Sequence, residues 1–255
     1  GLGLEGGTAG FGLDRLAALG LDPGRQAFYF WLFFAALAVK VPVVPLHSWL
    51  PVAHVEAPTV GSMLLAGVLL KMGGFGFIRI LLPLFPDAAR AQGPWVLALG
   101  CAGVVFGSLA ALGQSDLKRL VAFSSVGHLG VAVVALFAGS PQGIEGGAFI
   151  LVSHGITSAG LFYVVGLVYG RTHTRDLSRL GGLARSYPDL AAGAMFITLA
   201  GIGVPLTCGF VGEFLAILGT YKVSVWATAI LCSGVGLSAV YLLSAYQRVF
   251  FGSAH

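Results

Sequence analysis

Long apolar stretches, separated by clusters of glycine, proline and charged residues, dominate the sequence. A transmembrane helix needs about 20 predominantly apolar residues, and about seven stretches of that length are present. They run approximately over 28–50, 59–84, 94–112, 117–137, 146–169, 190–218 and 223–251. The pattern therefore predicts an all-α polytopic membrane protein with about seven transmembrane helices.

The chain begins with a segment that does not fit this pattern. Its first ten residues hold five glycines, and charged residues such as Asp14 and Arg15 follow. No basic region precedes an apolar one, so the segment is not a signal peptide. We expect residues 1–25 to form an extramembrane loop and residues 26–255 to form the helical membrane domain. A start on a loop without an initiator Met leads us to expect a piece of a longer protein.

Prolines interrupt two of the apolar stretches. Pro42 and Pro45 lie in the first stretch, and Pro205 lies in the sixth, close to two glycines. Proline lacks the amide donor that a helix needs and collides with the preceding turn. Unwound backbone in a membrane is tolerated only against protein or water, and paired broken helices are typical of transporters. We predict two broken helices, near Pro45 and Pro205.

The composition excludes several classes of protein. Hydrophobic residues make up 57% of the chain, charged residues 9%, and the mean hydropathy is +0.92. Soluble domains carry about 25% charged residues. No basic run is present to bind nucleic acid. The three cysteines, which lie far apart in apolar stretches, have no metal-ligand spacing; they are Cys101, Cys208 and Cys232.

The distribution of arginine and lysine predicts the topology. The segment 170–188 carries four arginines against Asp176. Cytoplasmic loops are enriched in such residues, so we expect this segment to be cytoplasmic and the start of the chain to lie outside.

Five ionisable side chains lie in the middle of apolar stretches. An ionisable group at mid-membrane costs at least about 2.5–3.5 kcal/mol on insertion scales, so such groups are functional candidates. Burial and neighbouring charges tune them to exchange protons, which predicts a proton relay. Snorkelling lysines and hydrogen-bonded packing histidines are the structural alternative. The five residues are Lys40, Lys71, His128, His154 and Glu213.

Several longer motifs carry a family resemblance. They are VKVPVVPLHSWLP at 39–51, AHVEAPT at 53–59, LLKMG at 69–73, DLKRLVAFSSVGHLG at 116–130, SHG at 153–155, RTHTRD at 171–176 and GFVGEF at 209–214. With them the sequence resembles the antiporter-like M-type membrane subunits of respiratory NADH:quinone oxidoreductase (complex I). That family is related to Mrp-type cation/proton antiporters and to subunits of membrane-bound hydrogenases.

The resemblance implies a fold and a role for each residue. The fold has about fourteen transmembrane helices in inverted repeats, of which this chain holds roughly helices seven to thirteen. Lys40 matches the lysine of a broken helix, Lys71 the central lysine, His128 and His154 the linking histidines, and Glu213 the terminal carboxylate. The acidic partner of Lys40 lies on a helix before this chain.

The resemblance also implies the setting of the chain. The chain itself binds no cofactor; NADH, FMN, iron–sulfur clusters and quinone belong to partner subunits. Its partners are other membrane-arm subunits, including neighbouring antiporter-like subunits, together with the lipid bilayer and protons. It lies in the bacterial inner (cell) membrane.

This sequence departs from the family pattern at three positions. Val52 stands where the family usually has Asp, and Phe123 and Gly127 stand where it often has Tyr and Ser. Each departure removes a polar group.

We expect a subunit of a proton-translocating NADH:quinone oxidoreductase that moves protons through this buried relay, while the redox chemistry takes place in other subunits. Two other functions compete with this expectation. One is a cation/proton antiporter or hydrogenase subunit, in which the same groups line a path for sodium or potassium. The other is a structural membrane scaffold, for which neutralising Lys71 impairs assembly more than transport.

Overall fold

The computed structural model describes residues 12, 13, 16 and 21–252. The regular structure within 21–252 is helical, apart from an isolated β-bridge between Asp116 and Asp176. The helices are α1 (Pro23–Lys40), α2 (Trp49–Glu56), α3 (Thr59–Leu84), α4 (Pro86–Leu112), α5 (Leu117–Phe137), α6 (Pro141–Thr172), α7 (Leu183–Ser186), α8 (Pro188–Ile202), α9 (Cys208–Tyr221) and α10 (Val225–Phe251). Most of the predicted loop 1–25 lies outside the described residues.

Five of these helices, α3, α4, α5, α6 and α10, are long and apolar enough to cross a membrane. Two shorter apolar helices, α8 and α9, accompany them. The all-helical prediction is confirmed, whereas the count of seven spans is not. The stretch predicted from Pro94 begins earlier, at Pro86, and the helix continues through Pro94. Because Pro94 lacks an amide, the carbonyl of Arg90 receives no helical hydrogen bond. Arg90 is exposed, so the loss of this hydrogen bond costs little.

Polar residues fix the starts of several helices. The Asp116 carboxylate accepts hydrogen bonds from Lys118 N (2.8 Å) and Arg119 N (2.9 Å) at the start of α5. Ser140 Oγ accepts one from Gly143 N (3.0 Å) before α6, where Pro141 occupies the first helical position. These acceptors satisfy amide groups that a helix start leaves free.

The chain is not helical at 41–48 and 203–207. Pro42 and Pro45 lie in the first interruption, between α1 and α2, and Pro205 lies in the second, between α8 and α9. At the second interruption Gly203 has φ +78°, a left-handed conformation that glycine adopts without strain. Each interruption leaves carbonyl groups without a helical donor.

Helix α5 lies at the centre of the bundle and is almost entirely buried. Its close approach to α4 depends on glycine: a Cβ added at Gly130 would lie 2.9 Å from Gly100 O and from Val104 N. Gly107 and Gly127 meet in the same way. Small residues at helix crossings let backbones approach closely inside a membrane. His128 is therefore held in the middle of the molecule.

Candidate functional site

Lys71 and His154 form a direct side-chain contact between α3 and α6. Lys71 Nζ lies 2.8 Å from His154 Nδ1, and it also donates a hydrogen bond to Ala66 O. Lys71 follows a π-helical turn, Leu65–Leu69, a type of turn that often occurs at functional sites. The lysine therefore has two partners, a backbone carbonyl and an imidazole, and of these the imidazole is a titratable group.

Gly155 brings α6 close to α3 beside this contact. A Cβ added at Gly155 would lie 2.9 Å from Gly67 O and 3.4 Å from Lys71 Cε. A larger residue at this position would push the helices apart and separate the lysine from the imidazole. An added Cβ at Gly67, by contrast, would meet its nearest neighbour, Ala159 Cβ, at an ordinary 3.5 Å.

His128 continues the path from His154. The two imidazole rings have centroids 5.6 Å apart and planes inclined by 38°. His128 Nδ1 lies 2.9 Å from Ser124 O, and its Nε2 lies 3.0 Å from Gly201 O. Carbonyl oxygens only accept hydrogen bonds, and a neutral imidazole has a single N–H. Two such acceptors suit the doubly protonated ring.

The end of α8 leaves the Gly201 carbonyl free to bind His128. The helix ends at Ile202, and Gly203 follows in a left-handed conformation, so no helical amide reaches this carbonyl. Pro205, four residues after Gly201, has no amide that could donate to it. The break therefore supplies an acceptor for His128 as well as ending α8.

Glu213 ends the path on α9. Its Oε1 lies 3.7 Å from His128 Nε2, which is too long for a hydrogen bond. The side chain is buried, with 7% of its surface exposed, and packs against Gly203. An added Cβ at Gly203 would collide with the carboxylate. The interruption between α8 and α9 thus shapes the environment of Glu213.

The structure brings four of the five predicted side chains into one continuous series, here called the polar row: Lys71, His154, His128 and Glu213. Lys40 is not part of it, because Lys40 ends α1 with an exposed side chain. Its Cβ would lie 2.8 Å from a Cβ added at Gly73, two residues after Lys71. Lys40 is therefore near the backbone that carries Lys71.

His54 is a buried histidine that the charge pattern did not single out as a candidate. It is 0% exposed, and its ring stacks on Phe162 at 4.3 Å between centroids. Neither ring nitrogen has a hydrogen-bond partner among the described residues. The sequence feature that could have indicated this site is Pro58, four residues later, which has no amide to donate to the His54 carbonyl. Ser62 Oγ donates a hydrogen bond to that carbonyl instead, at 3.1 Å.

Two cations hold the end of α2: Lys118, from α5, and Arg175, from the segment between α6 and α7. Lys118 Nζ donates to Ala57 O (2.5 Å), and Arg175 Nη1 donates to Val55 O (3.3 Å). Arg175 Nε also pairs with Asp116 Oδ2 at 3.4 Å. Cations are favourable at a helix C-terminus, where free carbonyls and the dipole are negative. The short helix is thereby fixed after its break.

The segment between α6 and α7 is joined to the start of α5. Leu117 N donates to Arg175 O (2.9 Å), and Leu177 N donates to Ser115 O (2.8 Å). Two hydrogen bonds from Ser178, through N and Oγ, lower the pKa of the exposed Asp176 carboxyl. Hydrogen bonds with the start of α5 and hydrogen bonds within the segment therefore fix its conformation.

Among the described residues, no group of three His, Cys, Asp or Glu side chains is placed to hold a metal ion. Cys101, Cys208 and Cys232 are separate free thiols. The chemistry that the polar row offers is proton exchange between nitrogen bases and a carboxyl group.

A family model described as NADH:quinone oxidoreductase/Mrp antiporter, TM matches residues 4–238. The NADH-quinone oxidoreductase subunit M of Rhodobacter capsulatus is 49% identical over 232 residues, which cover 91% of this chain and 45% of that protein. The chain therefore spans about half the length of the relatives it matches.

Solved structures give the same result. A chain of respiratory complex I from Thermus thermophilus matches 96% of this chain with a TM-score of 0.92 and 38% identity, over 52% of that chain. A chain of the Mrp complex from Dietzia matches 96% with a TM-score of 0.88 and 26% identity, over 46% of that chain.

Proposed function

Because this chain belongs to the NADH:quinone oxidoreductase/Mrp antiporter transmembrane family, we propose that it forms part of an M-type subunit that moves protons across the membrane. The redox reaction that drives this movement takes place in other subunits. The observation that carries the proposal is the closely spaced polar row: Lys71 Nζ contacts His154 Nδ1, the two imidazole centroids are 5.6 Å apart, and Glu213 Oε1 lies 3.7 Å from His128 Nε2.

The proposed path runs along the polar row. Lys71 holds a proton and passes it to His154 Nδ1, 2.8 Å away. His128 takes it from His154 through water, since their ring centroids are 5.6 Å apart. The proton then reaches Glu213 and an exit. Each transfer joins two titratable groups, and the charge on one group changes the proton affinity of the other.

Lys40 has a regulatory role in this scheme. We propose that it biases Lys71 from the neighbouring helix and is itself biased by an acidic partner on a helix outside this chain. Like charges disfavour each other's protonated form, so movement of the Lys40 charge loads or unloads Lys71. Moving one proton against 100 mV costs about 2.3 kcal/mol, a magnitude that a buried charge pair supplies.

The setting follows the relatives. We propose that the chain lies in the bacterial inner membrane as half of a fold of about fourteen helices in inverted repeats. The arginine-rich segment 170–188 faces the cytoplasm. Neighbouring antiporter-like subunits flank it, while NADH, FMN, iron–sulfur clusters and quinone bind elsewhere in the complex.

The test is NADH-driven acidification of inverted vesicles that carry the complete complex with Lys71→Ala. We expect most pumping to be lost while the complex still assembles, because His154 loses its proton donor. Lys222→Ala is the matched control, since that lysine is exposed and bonds only Gln142 among the described residues.

Two results would overturn this proposal. Normal pumping in Lys71→Ala would remove the lysine from the path. Failure of assembly in Lys71→Ala and also in Lys71→Arg, with intact Lys222→Ala, would favour a structural role for the polar row.

The likeness to the Mrp complex favours a second candidate, a cation/proton antiporter without a redox partner. A sodium path needs several oxygen ligands, whereas Glu213 is the single acid of the polar row. Sodium-driven proton movement in the absence of NADH would support this candidate, and NADH-dependent pumping without sodium would exclude it.

A further inference from the structure

A long apolar groove runs along one face of α4, far from the polar row. Its volume is about 750 Å³, within the range of pockets that bind organic ligands. The residues that line it on α4 recur with helical spacing from Pro86 to Cys101. The end of α5 and the start of α10 form the opposite wall, through side chains such as Phe137 and Ala227. Among the described residues, Arg90 is the one charged side chain of this lining.

The groove has the length of one membrane leaflet. At 1.5 Å per residue, Pro86 and Cys101 are about 22 Å apart along α4. A bilayer with its headgroups is about 40–45 Å thick, so one leaflet takes about 20–22 Å. Pro94 and Ala98, which line the groove, are exposed, so the groove is open from the side. A lipid molecule that lies along α4 therefore fits its length.

Two exposed tryptophans mark the membrane surface near one end of the groove. Trp95 on α4 is 68% exposed, and Trp226 at the start of α10 is 83% exposed. Tryptophan is enriched at the level of the lipid headgroups. Arg90 lies more than one turn before Trp95, towards the start of α4, whereas the lining from Leu97 to Cys101 lies on the other side of it. The groove therefore begins in the headgroup region and continues into the hydrocarbon core.

Two opposite charges lie at the headgroup end. Arg90 lines the groove, and Asp87 lies three residues earlier on α4. Their side chains are 84% and 65% exposed, and Arg90 Nη1 is 4.0 Å from Asp87 Oδ1, which is too long for a hydrogen bond. Asp87 Oδ2 accepts one long hydrogen bond, of 3.4 Å, from Gln26 Nε2. Both charged groups can therefore bind a ligand that carries the complementary charges.

A phospholipid with a primary ammonium group carries both of these charges. Arginine binds a phosphate group through two parallel N–H donors. A primary ammonium group donates hydrogen bonds to a carboxylate, as the lysine side chain does. The quaternary ammonium of phosphatidylcholine has no N–H to donate, and the headgroup of phosphatidylglycerol has no positive charge. The pair of charges thus favours phosphatidylethanolamine over the other two lipids.

We propose that the groove binds one phosphatidylethanolamine molecule. Arg90 holds its phosphate group, Asp87 holds its ammonium group, and an acyl chain lies along α4 as far as Cys101. The chain fills the space between α4, the end of α5 and the start of α10. This inference requires that the helices lie in a membrane, and it does not depend on the proton path.

The experiment uses three photoreactive lipids in vesicles that carry the complete complex. The lipids share one acyl chain, with the photoreactive group at its end, and differ in their headgroups: phosphatidylethanolamine, phosphatidylcholine and phosphatidylglycerol. Peptide mass spectrometry locates the labelled residues. We expect phosphatidylethanolamine to label the deep end of the groove, around Cys101 and Ile230, about tenfold more than the other two lipids, because a hydrogen bond to a charged group is lost in each of them. Equal labelling by the three lipids would overturn the site.

Two headgroup variants test the charges. Arg90→Gln should lower labelling by phosphatidylethanolamine about tenfold, and Asp87→Asn should remove its advantage over phosphatidylglycerol. Arg119→Gln is the matched control, because Arg119 is an exposed arginine at the other end of the bundle. Labelling that is the same in Arg90→Gln as in Arg119→Gln would contradict the assignment of the phosphate to Arg90.

Ala98→Phe tests the acyl chain, because the larger side chain fills the groove at an exposed position where it does not disturb the core. We expect it to abolish labelling of the deep end. Ala102→Phe is the matched control, since Ala102 is exposed on the same helix and does not line the groove. Equal labelling in these two variants, or an electron-microscopy map in which another protein segment fills the groove, would exclude a lipid there. Normal pumping in Lys71→Ala would overturn the proposed function and leave this site unaffected.

Discussion

At the scale of single residues, Gly203 combines an unusual backbone conformation with a contact to the polar row. Its φ of +78° is unfavourable for any residue with a Cβ, and the space where a Cβ would stand is filled by the Glu213 carboxylate. One position therefore combines a left-handed turn, which only glycine adopts without strain, with the end of the polar row. The sequence places this glycine in the predicted break but does not indicate its contact with Glu213.

Gly203→Ala should displace Glu213 and reduce proton pumping. The left-handed conformation costs roughly 1–2 kcal/mol for alanine, and the collision adds to that cost. Vesicle acidification and the amount of assembled complex are the measurements. Gly139→Ala separates the two effects, because Gly139 also has a positive φ (+68°) while an added Cβ there meets nothing within 4 Å. If both variants lose pumping equally, the contact with Glu213 has no special role.

At the scale of helices, the breaks are important because they leave backbone carbonyls free to accept hydrogen bonds from other parts of the chain. The break between α8 and α9 gives the Gly201 carbonyl to His128 because Pro205 lacks an amide. The end of α2, after the other break, gives the Ala57 and Val55 carbonyls to Lys118 and Arg175. In both places a histidine or a cation from another part of the chain binds a carbonyl at the end of a short helix.

Pro205→Ala supplies an amide that competes for the Gly201 carbonyl. We expect pumping to fall about two- to tenfold while the complex still assembles, because His128 Nε2 loses its acceptor. The measurement is the pumping rate per NADH oxidised. Pro188→Ala is the control, since Pro188 begins α8, where no amide donor is needed. Equal pumping in both variants would show that His128 does not depend on this carbonyl.

The sequence predicts most of these elements and fewer of their contacts. The predicted bounds of α3 and α5 agree with the structure to the residue, because each apolar run ends where charged residues or prolines begin. Mid-span charge singles out all four residues of the polar row, because burying charge is costly. Their pairing depends on helix packing at glycines such as Gly155, which a single sequence does not reveal. His54 escapes this criterion because its side chain does not stand out from an apolar run.

At the scale of the whole molecule, the polar row crosses the bundle from α3 through α6 and α5 to α9. Most of the central helix is buried, so the path lies inside protein on its way to Glu213. The segment between α6 and α7 closes one end of the bundle through its contacts with α2 and α5. The proposed proton path and the packing of the bundle therefore involve the same set of helices.

Lys118→Met tests how far this end of the bundle depends on one buried cation. Lys118 is 6% exposed, and its hydrogen bond to Ala57 O joins α5 to the end of α2. Loss of a hydrogen bond from a charged group costs about 1.5–3 kcal/mol, so the thermal transition of the purified complex should move to lower temperature. Arg119→Met is the control on the adjacent exposed residue. A transition unchanged from that of Arg119→Met would mean that the cation adds nothing to stability.

The burial of α5 has a consequence for how the protein is made. A helix enters the bilayer from the translocon according to its hydrophobicity, and α5 is as apolar as the less buried α4, with a mean hydropathy of 2.1 for both. After assembly, however, almost none of its surface touches lipid. The same side chains thus meet lipid during biosynthesis and protein afterwards. Until α4, α6 and α9 close around it, the newborn helix exposes His128 to the bilayer.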